Sequence, residues 1–446
     1  MLSKRTLVNI TFFLCFFPFV RILRLHSVET EPIAGIIGLL IILLYGIKRN
    51  IFSITLIWLM FVITGYCAIS IILRPSLFPS IILHTIAYFI PLFVFLSLYD
   101  KMDLLSPKVY FVALFIWLAV GVVQYFSLFG FLKPILNDVL GIFISRYASS
   151  PLGGARGVVF LGPEPSASST SIILFMLTAL FFYATRKISS VVMWLAVCAS
   201  LFMLFLNKSG TGMLLFVLIP LGFLGGYLAV FVRGLKSFSL PRETIYVPFC
   251  AGLILVVVWF AAVLLQRQYS YRSRFSDSAT AAFDRIVVQR DVSMHTWTRL
   301  GGFRVPALYV GYRSLGQNYG LGRGVGSWLT DFDQVARSCG VFLENLPLLE
   351  RERNLKVVKP GAYGGTLAFD VGAIGLFVLL LFLSLFLVSK FKTKLPPSVS
   401  GPMWCIFFVS ALKILFMGLV TLPMPWLGLC YVYHIKSSGL SRPKRG

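Results

Sequence analysis

Apolar runs long enough to cross a lipid bilayer recur from one end of this chain to the other, and they limit its fold more than any other feature. They fall near 6–21, 33–48, 51–73, 80–98, 108–131, 167–185, 190–206, 211–232, 246–265, 370–389, 402–420 and 421–435. About 20 apolar residues in a helix match the thickness of the hydrocarbon core. The runs are uniformly apolar, whereas barrel strands alternate over short segments, so an outer-membrane barrel is excluded. The expectation is an all-α integral membrane protein of about twelve transmembrane helices, one polytopic domain over 1–446. With 58% hydrophobic residues, 13% charged residues and a mean hydropathy of +0.88, the chain lacks the charge to cover a water-facing surface. The first run follows Lys4 and Arg5 with no small-residue cleavage site, and reads as a retained first helix.

The formal charge of +24 invites a nucleic-acid reading, which the distribution of the cations rejects. They are scattered over short inter-helix loops and form no basic face with interleaved aromatics. Assigning alternate loops to alternate sides puts Lys4/Arg5, Lys48/Arg49, Lys101/Lys108, Arg186/Lys187, Arg233/Lys236/Arg242, Lys390/Lys392/Lys394 and Lys436/Arg442/Lys444/Arg445 together. That pattern predicts both termini in the cytoplasm. Two loops of the opposite side are enlarged, 132–166 and 266–369. The first opens with Ile135, Leu136, Val139, Leu140 and Phe143 on one helical stripe, the signature of a short interfacial helix. The second holds twelve arginines and two lysines. That bias favours phosphate-like partners, because a guanidinium binds phosphate oxygens in a planar fork and an ammonium acts as a point charge.

Candidate chemistry gathers in these loops. Arg146 to Gly157 is followed by Gly162-Pro163-Glu164-Pro165-Ser166. Irregular backbone at a membrane boundary is tolerated where it is buried in protein or lines a wet cavity. Glu164, just before a helix, reads either as a carboxylate favoured by the helix dipole or as a general base. The second cluster holds Arg299, Arg304, Tyr309, Tyr312, Arg313 and the run Gly320-Leu321-Gly322-Arg323-Gly324-Val325-Gly326. The glycine run lacks the preceding strand and the Lys-Ser/Thr of a nucleotide loop, and its plainest reading is a flexible turn. Arg299, Arg304 and Arg313 fit a helix over about 293–315. Trp297, Tyr309, Tyr312, Tyr319 and Trp328 are of the type that stacks on sugar rings, though such residues more often pack or line the interface. Asn207-Lys208-Ser209-Gly210-Thr211-Gly212 is a polar turn that is either only tight or adds a cation to the same face. Lys413 lies inside an apolar run, where a charge calls for a partner within the bundle. The seven cysteines and the four histidines, His26, His84, His295 and His434, show no metal-ligand or disulfide spacing.

Taken together these segments resemble the Wzy-type O-antigen polymerases, within the superfamily that also includes O-antigen ligases. The resemblance rests on two enlarged loops that each carry an arginine, ten residues and a glycine, Arg146 to Gly157 and Arg313 to Gly324. It is strengthened by Glu164-Pro165-Ser166, Ser209-Gly210, and Asp370-Val371-Gly372-Ala373-Ile374-Gly375-Leu376. It implies a GT-C-like membrane fold and an inner-membrane enzyme that joins undecaprenyl-pyrophosphate-linked oligosaccharide units on the periplasmic face, without nucleotide sugar, metal or other cofactor. It further implies Glu164 as base, with Arg313 and Arg146 at the leaving group. Arg156, Arg299, Arg304, Arg323, Lys208, Tyr309, Tyr312, Gly157 and Gly324 are then the substrate-binding set. A flippase and a chain-length regulator of the same pathway are the implied partners. Ligases carry a late histidine in the large loop. Here that stretch, 359–365, has none, which favours polymerase over ligase. A transporter is the alternative from another class, but no internal repeat or midplane polar cluster speaks for it.

Overall fold

A computed structural model describes residues 3–22, 30–126, 132–144, 157–209, 212, 304–341, 361–388 and 397–437. Among them the chain is all α, with one isolated bridge between Leu321 and Gly372 and no sheet. The helices are α1 (Lys4–Leu14), α2 (Ile33–Tyr45), α3 (Ile51–Leu73), α4 (Phe78–Leu98), α5 (Pro107–Tyr125), α6 (Leu132–Phe143) and α7 (Pro165–Ala184). They continue with α8 (Ser190–Asn207), α9 (Arg304–Gln317), α10 (Trp328–Ser338), α11 (Tyr363–Asp370), α12 (Gly372–Val388), α13 (Pro397–Phe416) and α14 (Met424–Ser437).

The chain is a multi-pass membrane protein, but the expectation of about twelve crossing helices is overturned. Among the described residues six stretches are long and apolar enough to cross: Ile51–Leu73, Pro75–Leu98, Pro107–Tyr125, Pro165–Ala184, Ser190–Asn207 and Val399–Phe416. The runs at 211–232 and 246–265 lie outside the described residues. Four others form helices too short for the count. α1 has 11 residues, α2 has 13, α12 has 17 and α14 has 14. Counting apolar residues overstated them because backbone punctuation, not hydropathy, ends a helix. Pro18 follows α1. Gly46 ends α2 with φ +71°. Gly372, with φ +79°, separates α11 from α12. Pro423 precedes α14. Proline removes a helical donor, and a positive φ is a conformation a helix does not contain.

Sequence signals place the other ends. Asn50 and Ser53 form a reciprocal capping box at the start of α3. Pro165 occupies the first turn of α7, where its missing N–H costs nothing. Gly35 and Gly38 bring α2 against α4, since a Cβ at either would stand 2.9 Å from the α4 backbone. Small residues serve this purpose where helices meet in lipid. α7 lies at the centre, buried on nearly every side, while α3 and α5 present Trp58, Phe61, Ile72 and Phe115 outward. A continuous core joins α1 to α8 with α11 to α14, and a satellite cluster of Ala307, Val310, Trp328, Phe332, Val335, Ala336, Val341 and Phe369 seats α9 and α10 upon it. The two ends of the bundle are named here for Glu164 and Lys48.

Candidate functional site at the Glu164 end

Two irregular segments meet the bundle at this end. The first runs from Gly157 to Glu164 and is strapped to its neighbours by side chains. Gln124, buried in the last turn of α5, accepts from the Phe160 amide at 2.8 Å and donates to its carbonyl at 3.1 Å. Asn207 at the end of α8 donates to the Val158 carbonyl at 2.8 Å, and the Val158 amide bonds Leu206 O at 3.0 Å. Ser168 of α7 donates to Val159 O. Gly157 has φ +80° and lies flat against Asn207, where a Cβ would collide with the carbonyl. Its predicted binding role thus stands beside a clear packing role.

Glu164 is the N-cap of α7, with extended backbone. Its carbonyl accepts from the amides of Ala167 and Ser168, both at 3.1 Å. Its carboxylate makes no capping bond and instead accepts from Ser166 Oγ at 2.5 Å, exposed to the surroundings. Lys208 is exposed in the left-handed residue that closes α8, and the turn after it packs Gly212 against Ser169. Lys413 is buried on α13, and its ammonium donates to Thr170 Oγ1 in α7 at 2.6 Å. One partner inside the bundle that the sequence demanded is therefore a hydroxyl near the start of α7.

The second segment is the glycine run, and it is not a free turn. It docks across the break between α11 and α12. Arg323 N bonds Phe369 O at 3.0 Å, Gly324 N bonds Asp370 O at 2.9 Å, and Ala373 N bonds Gly320 O at 2.7 Å. A Cβ on Gly322 would collide with Asp370 O, and one on Gly324, whose φ is +97°, would stand 2.5 Å from Ser70 Oγ. Beneath this junction lies Asp370, fully buried. Its Oδ2 accepts from the Tyr88 hydroxyl at 2.9 Å, and the Gly326 amide faces it. An ion pair of 2.7 Å between Arg74, capping α3, and Asp331 of α10 closes the same side.

Between α9, the glycine run and α10 opens a polar cleft of about 320 Å³ lined by Gln317, Arg323, Gln334, Val335 and Ser338. Ser338 donates to Gln317 Oε1 at 2.9 Å. The Arg323 Nε is buried and has no hydrogen-bond partner among the described residues. Arg313, exposed on α9, makes no hydrogen bond or ion pair among the described residues. Arg313 and Arg323 both act on Cys339 at the end of α10: burial pushes its thiol up, and Arg313 and then Arg323 pull it back down. One guanidinium, that of Arg323, thus faces a concavity whose other polar groups are the amides of Gln317 and Gln334 and the hydroxyl of Ser338. A buried guanidinium N–H without a partner is costly, and an anion in the cleft would satisfy it.

The remaining sequence candidates separate. Arg304 opens the described part of the predicted helix, α9, and the expected beginning at 293–303 lies outside the described residues. Tyr309 is partly exposed. Tyr312 is committed to structure, donating to Leu415 O at 2.6 Å at the end of α13. Trp328 is buried with its ring 4.9 Å from that of His84, and Tyr319 is exposed at φ +50°. Arg146, Arg156, Arg299, Trp297 and His295 lie outside the described residues. α13 links α7 to α9, because Lys413 reaches Thr170 of α7 and Leu415, two residues on, receives Tyr312 of α9. Sequence reading missed the amide wall of the cleft. Its signal was the i, i+4 pair Gln334 and Ser338, opposite the buried stripe Phe332, Val335 and Ala336 of α10. No protein-family model matches the chain, and comparison with curated proteins finds no match.

Proposed function

We propose that this membrane protein is a glycosyltransferase of the O-antigen polymerase type, acting on lipid-linked oligosaccharide repeat units at the Glu164 end of its bundle. In this reading it sits in a bacterial inner membrane with both termini cytoplasmic and the Glu164 end periplasmic. The observation that carries the proposal is the cleft beside Arg323, where one guanidinium has a buried, unpaired N–H and a second, Arg313, stands nearby without a hydrogen bond or ion pair among the described residues. A diphosphate is the kind of group such a cleft would satisfy.

The chemistry follows from the leaving group. A hydroxyl of the incoming unit attacks the anomeric carbon of the growing chain. The bond from that carbon to the pyrophosphate oxygen breaks, and the lipid pyrophosphate leaves with the electron pair. Charge grows on phosphate oxygens as it does so, and preorganised cations there lower the barrier. The hydroxyl proton passes to a base, for which Glu164 is the candidate, exposed at a helix start with its carboxylate engaged by Ser166.

The test is polymer formation by the purified protein from undecaprenyl-pyrophosphate-linked repeat units, read as a ladder of chain lengths. Arg323→Ala and Arg313→Ala should each lower the rate by roughly 10²-fold, the order found for losing one preorganised donor. Lysine at either position should rescue poorly because it lacks the fork. No ladder from the wild-type protein, or full rates from both alanine variants, removes the proposal.

A further inference from the structure

A second concavity lies at the opposite end of the molecule. It is a groove of about 360 Å³ between α2, α3 and α4, bounded by Ile47, Ile57, Phe61, Thr64, Phe93 and Leu96 among others. The wall is apolar apart from Thr64, and that hydroxyl is already committed to the Met60 carbonyl at 2.8 Å. No side-chain donor in the wall is left over, so the wall favours an apolar occupant. Ile57 and Phe61 are also outwardly exposed on a helix long and apolar enough to cross the bilayer, so the groove opens toward lipid.

The mouth of the groove differs from its wall. Ile47 lines the groove and Lys48 and Arg49 follow it directly. The Lys48 carbonyl accepts from Ser53 Oγ on α3 at 3.0 Å and from the Tyr99 hydroxyl just after α4. The backbone at Lys48 is thus pinned to both other walls where the groove ends, with the side chains of Lys48 and Arg49 exposed there. Neighbouring cations are engaged. Lys101 pairs with Asp100 at 2.7 Å, Lys187 gives its ammonium to the carbonyls of Met102, Asp103 and Leu105, and Lys436 donates to Phe386 O. Lys48 and Arg49 make no side-chain hydrogen bond or ion pair among the described residues.

We propose that this groove is a binding site for an anionic phospholipid, one acyl chain lying along Ile57, Phe61 and Phe93 and the phosphate held between Lys48 and Arg49. Charge complementarity selects the headgroup, because a forked guanidinium beside an ammonium suits a phosphate whose charge no choline offsets. The site stands apart from the transferase reading, since it uses none of the residues at the Glu164 end.

Native mass spectrometry of the full chain tests it, after exchange into micelles with phosphatidylglycerol or phosphatidylcholine of identical acyl chains. The wild-type protein should retain one phosphatidylglycerol at about tenfold lower lipid concentration than phosphatidylcholine. Lys48→Gln with Arg49→Gln, both at exposed positions, should erase that preference. Thr64→Trp should fill the groove and abolish retention of either lipid while the protein stays monodisperse. Should that variant not fold, the glutamine pair still decides the matter. Equal retention of the two lipids, or a preference that survives the glutamine pair, overturns the proposal. So does displacement of phosphatidylglycerol from the groove by undecaprenyl phosphate at equal concentration, which would make the occupant an isoprenoid carrier.

Discussion

The segments 157–164 and 320–326 do the same job at the same end of the bundle by different means. Each brings irregular backbone down onto apolar helices, where every amide and carbonyl needs a partner. The first is met mainly by side chains reaching from α5, α7 and α8, namely Gln124, Ser168 and Asn207, beside one backbone bond from Val158 N to Leu206 O. The second is met by backbone, the broken ends of α11 and α12 supplying Phe369 O, Asp370 O and Ala373 N. Side-chain straps are adjustable and their loss is graded. Backbone-to-backbone docking leaves no space for a Cβ, so its loss is abrupt.

Breaking the second segment should therefore give the largest effect. Gly322→Ala sets a methyl group into the Asp370 carbonyl with no flexible side chain to yield, and Gly372→Ala, at a positive φ, sets one against Gly322 N and Gly320 O of the same junction. Loss of folded protein is expected for both, as failure to recover a monodisperse species after extraction. Normal recovery with wild-type thermal stability would show that the junction has slack and dissolve the contrast.

Gln124→Leu tests the first segment. It leaves the Phe160 amide and carbonyl buried without their clamp, at about 1–3 kcal/mol for each unsatisfied group. The protein should fold and unfold at a lower temperature, with faster proteolysis near 157–164. A smaller effect follows from Arg74→Gln, which removes the ion pair to Asp331. With side chains 32% and 19% exposed, solvent screening holds the loss to about 1 kcal/mol or less. A double-mutant cycle with Asp331→Asn measures the coupling, and a value well above that would make Arg74 a third anchor of the glycine run.

The smallest effect on stability belongs to Glu164→Gln. The carboxylate is exposed and makes no capping bond, and glutamine keeps an oxygen that can accept from Ser166, so the dipole contribution at stake is roughly 0.3–1 kcal/mol. The same variant should abolish polymer formation if Glu164 takes the proton. Unchanged stability with unchanged polymerisation would return Glu164 to a purely positional role, and Asp370, buried beneath the second segment, is then the next base to test.

Sequence by itself determined the solvent, the helical class and most helix starts. Those follow from hydropathy and from local chemistry at Asn50, Pro165 and Ser189, where the cap or turn residue acts on amides within three positions. It also singled out Lys413, Glu164 and the glycine run, because charge and glycine are conspicuous in an apolar chain. It could not count the crossing helices, since a glycine with positive φ at 372 and one at 46 shorten runs that hydropathy alone leaves whole. Nor could it give the glycine run its purpose. Whether Gly322 belongs to a loose turn or a docked one depends on Asp370, 48 positions later, coming to rest against it. The same holds for the pairing of Gln124 with Phe160 and of Arg74 with Asp331. Partners separated by dozens to hundreds of residues are chosen by how the helices pack, and only the tertiary structure states that.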